Sequence, residues 1–212
     1  MGADRAAQTL RLTGIGESAV ADLLGEELLS GTHPHVATYA RLDAVDVRIW
    51  ATGDGKRTAQ TLVDDGEAVI RRILAPYIFG RASDTWIDVL GPLLGNRRVA
   101  CLEAGTAGQL ASLLGTAPWL VRAELVTQPF SADRLVARCT ELREGANAHV
   151  GLAVAAADHG EDMAVEIVVD VGGEVTTSDH TAFRGGDIGR RRAANMACAE
   201  LWRRLTVAEA PS

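Results

Sequence analysis

Val150-Gly151-Leu152-Ala153-Val154-Ala155-Ala156 is a nearly continuous apolar run. A strand with one wet face alternates apolar and polar residues. A run without alternation suits a strand buried on both faces, between layers of helix. The sequence on either side supplies those layers. Upstream, residues 98–102 and 123–127 read as short strands, and residues 132–142 as a helix. Downstream, residues 163–171 and 175–183 form a candidate hairpin around Gly172-Gly173. Residues 187–205 read as a closing helix. Strands alternating with helices predict a three-layer α/β/α domain.

The first eighty residues follow another pattern. Residues 8–13 place Leu10 and Leu12 on one face, and Gly14-Ile15-Gly16 breaks the strand. Ala19, Val20, Leu23, Leu24 and Leu28 then recur at helical spacing. Ser30-Gly31-Thr32-His33-Pro34 reads as a stop and a loop. Val45, Val47 and Ile49 alternate with Asp46, Arg48 and Trp50, as in a half-buried strand. Thr52-Gly53-Asp54-Gly55 is a turn, and a second helix over 58–74 uses Leu62, Val63, Val69, Ile70, Ile73 and Leu74. Pro76 ends it, and Tyr77-Ile78-Phe79 reads as one more strand. The order strand–helix–strand–helix–strand predicts a small α+β unit. The pattern changes at Arg81-Ala82-Ser83-Asp84, where Ser83 or Asp84 can cap a new helix. Domains of 1–82 and 83–212 are therefore expected.

The chain has 212 residues, with 21 Lys plus Arg against 28 Asp plus Glu, a net charge of −7. This balance argues against a general nucleic-acid binder, because phosphate backbones reward a basic surface. The hydrophobic share of 47% excludes a disordered chain. No apolar run approaches the ~20 residues needed to span a bilayer. The opening Met1-Gly2-Ala3-Asp4-Arg5-Ala6 lacks the apolar core of a signal peptide. A cytoplasmic protein with no membrane association is expected. Cys101, Cys139 and Cys198 are sparse and odd in number, which is neither a disulfide framework nor a zinc site.

Four stretches invite a chemical reading. Gly14-Ile15-Gly16-Glu17-Ser18-Ala19 has the GxGxxA form of a pyrophosphate turn. The acidic residue expected ~20 positions on is missing, however, and His33-Pro34-His35 stands there. Gly53-Asp54-Gly55-Lys56-Arg57-Thr58 resembles the tail of a P-loop, but Arg57 sits where Ser or Thr must hold magnesium. A turn is the better reading of both. His33 and His35 could share a strand face as metal ligands, but no third ligand is identifiable. Glu103-Ala104-Gly105-Thr106-Ala107-Gly108 is the most informative stretch, following a strand and opening a helix. Small residues there let backbone amides face an anion. Thr106 is the only hydroxyl, and capping the helix is its plainest role.

Longer stretches carry a resemblance. Leu10-Arg11-Leu12-Thr13-Gly14-Ile15-Gly16-Glu17-Ser18 resembles the opening of the middle domain of the CinA (competence/damage-inducible) family. His33-Pro34-His35-Val36-Ala37-Thr38-Tyr39-Ala40 is similar to that domain's NPTVAPYA segment, and Tyr77-Ile78-Phe79-Gly80 to its YIYG end. The second half is similar to the family's C-terminal domain, a nicotinamide-nucleotide amidase in active members. The resemblance implies a KH-like α+β domain followed by a CinA-like α/β domain. It includes no counterpart of the family's N-terminal molybdopterin-binding-like domain.

The departures from the family matter most. Active members carry E-S-C-T-G-G after the first strand, with Ser as the proposed nucleophile. Here Glu103 and Thr106 match, but Ala104 stands at the Ser position and Gly105 at the Cys position. The next motif, Y-S-N-x-x-K, has no counterpart in Thr127-Gln128-Pro129-Phe130-Ser131-Ala132-Asp133, and the chain's one lysine is Lys56. The T-G-x-A-G-P loop is replaced by Ala155-Ala156-Ala157-Asp158-His159-Gly160. Arg190 or Arg192 matches the family's arginine. KH modules bind RNA through a GxxG loop, which residues 1–80 lack, so no nucleic-acid partner is expected.

The implied protein keeps the fold without catalysis or cofactor. It would bind a nicotinamide nucleotide or another phosphate-bearing small molecule, or act as a homodimeric interaction module. The remnant pocket would comprise Glu103, Ala104, Gly105, Thr106 and Gly108, with Thr106, Arg190 and Arg192 toward the ligand. The alternative is an active amidase with Thr106 as substitute nucleophile.

Overall fold

The computed structural model describes residues 4–42, 44–127 and 130–208. The chain divides after Asp84 into two compact units, each with its own sheet.

The first unit runs β1 (Arg5–Leu12), α1 (Glu17–Leu29), β2 (His35–Ala40), β3 (Val45–Thr52), α2 (Ala59–Leu74) and β4 (Ile78–Arg81). Its sheet is antiparallel throughout, in the order β2-β3-β1-β4. β2 corrects the expected order, which assigns residues 35–40 to no element. Val36 is the one buried side chain in β2, so the segment carries little apolar alternation. Leu10, Leu12, Val45, Val47 and Ile49 point to one face and pack on Val20, Leu24, Leu62, Val63, Ile70 and Leu74 of the two helices. Each such side chain contributes about 1.5–3 kcal/mol when fully buried. The alternate residues of the three long strands face the other way. Across the sheet they pair Ala7 with Trp50 and His35, and Arg11 with Asp46 and Tyr39.

The second unit runs α3 (Trp86–Leu94), β5 (Val99–Ala104), α4 (Gln109–Leu114), β6 (Leu120–Val126), α5 (Ala132–Gly145), β7 (Val150–His159), β8 (Asp162–Val171), β9 (Glu174–Ala182) and α6 (Gly186–Ala208). Its sheet order is β6-β5-β7-β8-β9. β5 is parallel to both β6 and β7, and the remaining pairs are antiparallel. Leu102, Ala104, Ala153 and Ala155 pack against Leu135, Cys139 and Leu142 of α5. α6 packs along β7 and β8. This is the mixed three-layer arrangement the apolar run of β7 predicts.

The cap of α3 is Thr85, not Ser83 or Asp84. Thr85 and Asp88 form a reciprocal capping box. The Asp84 carboxylate instead turns back to accept the Arg81 amide at 2.7 Å. Among the described residues, no helix is long and apolar enough to cross a membrane.

Candidate functional site

β5 delivers its last residues, Glu103 and Ala104, to the carboxyl edge of the parallel strands. The chain then turns through Gly105, Ala107 and Gly108, all at positive φ (74°, 54° and 84°), before α4 begins. That turn aims the amides of α4 back at the end of β5. Glu103, 2% exposed, receives them. Its Oε2 accepts from the Leu110 amide at 2.9 Å and its Oε1 from the Ala111 amide at 3.1 Å. A carboxylate there also complements the positive end of the helix. Thr106 has no exposed surface, and its hydroxyl donates to Glu103 Oε2 at 2.5 Å. The helix cap expected of Thr106 is thus supplied by Glu103, since the N-cap position itself is Gly108.

Ala104 is buried in the apolar cluster against α5. Gly105 lies so close to β7 that an added Cβ would stand 1.8 Å from the Ala156 carbonyl oxygen. β7 presses there because it does not stop at a loop. Residues 150–159 pair without interruption with residues 162–171, and Gly160 makes the turn at φ 65°. The stretch in place of the T-G-x-A-G-P loop is therefore strand and occupies the ground beside the elbow.

The other residues singled out in the sequence lie as follows. Arg190 donates to Asp187 at 3.0 Å, and Arg192 donates to the Phe183 carbonyl at 2.5 Å. Both bonds are local to the opening of α6. Gln128 and Pro129, in the stretch set against Y-S-N-x-x-K, lie outside the described residues. Lys56 is exposed in a turn of the first unit, where Asp54 accepts the Lys56 and Arg57 amides. Gly16 is the N-cap of α1. His35 stacks on Trp50. The three cysteines are free and buried, and burial pushes the Cys101 and Cys139 thiols up to about 12.

One polar cluster escaped the sequence reading. Asp170, fully buried in β8, accepts from Arg143 Nε at 2.8 Å, Thr140 Oγ1 at 3.0 Å and the Gly173 amide at 2.8 Å. It ties α5 to the β8–β9 turn. Its signal was a lone acid ending an apolar strand, Ile167-Val168-Val169-Asp170.

A small antiparallel sheet backed by two helices, then a helix-covered mixed sheet with a strand–turn–helix elbow, define a two-unit α/β protein. The elbow lacks a nucleophile at its strand end. Residues 7–80 match the family model described as the damage-inducible protein CinA KH domain. A CinA-like protein of Deinococcus deserti is 35% identical over 94% of this chain and 54% of its own length. A CinA-like protein of Deinococcus radiodurans is 32% identical over 88% of this chain and 47% of its own. The chain belongs to the CinA family, and it spans about half the length of these curated relatives. The crystal structure of a competence-damaged protein (CinA) superfamily protein from Enterobacter cloacae shares the fold. It matches with a TM-score of 0.50 at 18% identity, over 58% of this chain and 94% of that one.

Proposed function

We propose that this chain is a non-catalytic member of the CinA family that keeps the fold as a binding or dimerisation module. Deamidation of a nicotinamide nucleotide, the activity implied by the family resemblance, needs a nucleophile, its activator and donors for the oxyanion. The observation that carries the reading is the packing of Gly105 under the Ala156 carbonyl beside Ala104. The strand end that would present a nucleophile offers a methyl group and a glycine with no room for a side chain. The Leu110 and Ala111 amides, natural donors for an anion, already serve Glu103. No lysine is present in the second unit to act as a base.

One observation favours the second reading, an amidase using Thr106. Its hydroxyl donates to a carboxylate, as an activated nucleophile would. Against this, Thr106 is fully buried and Glu103 already accepts two helix amides. The test is ammonia release from nicotinamide mononucleotide by the purified chain. The expected result is no release above a buffer blank. Turnover that vanishes in Thr106→Ala would establish the amidase instead. A homodimer and a cytoplasmic location belong to the same proposal. Sedimentation and fractionation respectively test them.

A further inference from the structure

The first unit has a second candidate site, on the sheet face turned away from α1 and α2. Trp50 and His35 are cross-strand partners there, with ring centroids 5.1 Å apart and planes 16° from parallel. Arg48, two residues before Trp50 on the same face, places its guanidinium 5.8 Å from the Trp50 ring centre. Arg5 projects from the start of β1, opposite Thr52. Arg5, Arg48 and Trp50, with the small Ala7 between them, line an open cavity of about 450 Å³, and His35 stacks on Trp50 beside it. That volume lies in the range of small-ligand sites, roughly 300–1,000 Å³.

The charges around the cavity are uneven. Farther along the face, Arg41 and Arg11 both turn to Asp46, at 2.8 and 3.7 Å. Asp4, next to Arg5, has its carboxylate engaged by the Ala59 amide at 2.9 Å. Arg5 and Arg48 are exposed, and among the described residues neither has a carboxylate partner. Two uncompensated guanidiniums thus share one cavity with an aromatic step, on a chain of net charge −7. Guanidiniums favour phosphate, and an indole stacks on a planar ring. One molecule that satisfies both is a nucleotide. The cavity holds a single nucleotide, and the acidic chain disfavours a long polyanion.

We propose that this cavity binds a free nucleoside monophosphate, with its base against Trp50 and its phosphate between Arg5 and Arg48. The site is separate from the elbow after β5 and does not depend on that region's function. Adenosine monophosphate is titrated into the full chain by calorimetry and by tryptophan fluorescence. Trp86, Trp119 and Trp202 are buried, so the fluorescence response falls mainly on Trp50. Saturable binding is expected, with adenosine and inorganic phosphate each binding more weakly because each fills half the site. Binding should weaken by about tenfold or more in Trp50→Leu and in the Arg5→Gln/Arg48→Gln pair. The arginine pair is exposed, so its urea midpoint should match the parent. Arg72→Gln, exposed on α2 and outside both candidate sites, should leave binding unchanged. Three results overturn the proposal: no saturable binding, binding indifferent to the Arg5/Arg48 pair, or hexathymidylate binding more tightly than thymidine monophosphate.

Discussion

Gly105 shows how much one missing side chain decides. At φ 74° a side chain already costs about 1–2 kcal/mol. Here it would also meet a backbone oxygen at 1.8 Å, which no rotamer avoids. Gly105→Cys is therefore expected to destabilise the chain by about 2–4 kcal/mol, read as a lower urea midpoint. Ala104→Ser should fold, at a cost of about 1–3 kcal/mol for burying a hydroxyl, and should release no ammonia. The thiols give a second residue-scale prediction. With Cys101 and Cys139 pushed up to about 12 by burial, the native chain should react slowly with a thiol-specific disulfide reagent at pH 8. All three thiols should react at once in denaturant. Most of this was half-legible. The sequence showed Ala104, Gly105 and Thr106 in place of the family's residues, but not that Thr106 would turn inward. The return of the α4 amides to Glu103 was equally hidden, since the turn before α4 uses a positive φ at Ala107, a non-glycine residue that gives no warning.

The elements were read well where periodicity was strong and poorly where it was weak. α2 has an apolar stripe broad enough to read from spacing alone, and β7 has an unbroken run. β2, with one buried side chain, carries no such signal. The length of the β7–β8 hairpin was also hidden, because Asp158 and His159 look like loop residues and are in fact paired strand. Two elements depend on single buried acids. Glu103 holds the start of α4 with both oxygens. A Gln side chain has one accepting oxygen, so Glu103→Gln should leave an α4 amide unpaired and cost about 1–3 kcal/mol. Amide exchange at Leu110 and Ala111 should accelerate. Asp170 anchors α5 to the β8–β9 turn through Arg143. Asp170→Asn should cost about 3 kcal/mol by removing the buried charge opposite that guanidinium, which keeps only the exposed Glu144, measured by urea unfolding.

The whole molecule should weaken in acid, with a contribution from each unit. In the first, burial raises the Glu67 carboxyl, but hydrogen bonds from Arg71 and Arg81 outweigh it and leave it below its ordinary value. In the second, a hydrogen bond from His180 lowers the Glu200 carboxyl, and Arg203 adds to it against the cost of burial. A carboxylate lowered in the folded state stabilises above its unfolded value, and that stability is lost as pH falls through the folded value. Urea midpoints should therefore drop as pH falls from 6 to 3, and the Glu67→Gln/Glu200→Gln pair should flatten the drop. The two-part organisation was visible in the sequence as a change of pattern at residues 81–84, while the Arg5–Trp50 cavity was not. It exists only once strand register sets β1 beside β3. The closure of β7 over Gly105 also governs how this fold can be re-engineered. A mutant library confined to residues 104–106 would sample mostly misfolded clones, because the obstacle lies on another strand. Substitutions at 105 become permissible only after residues 155–158 have been recut into a loop, so the order of steps decides whether new chemistry is reachable.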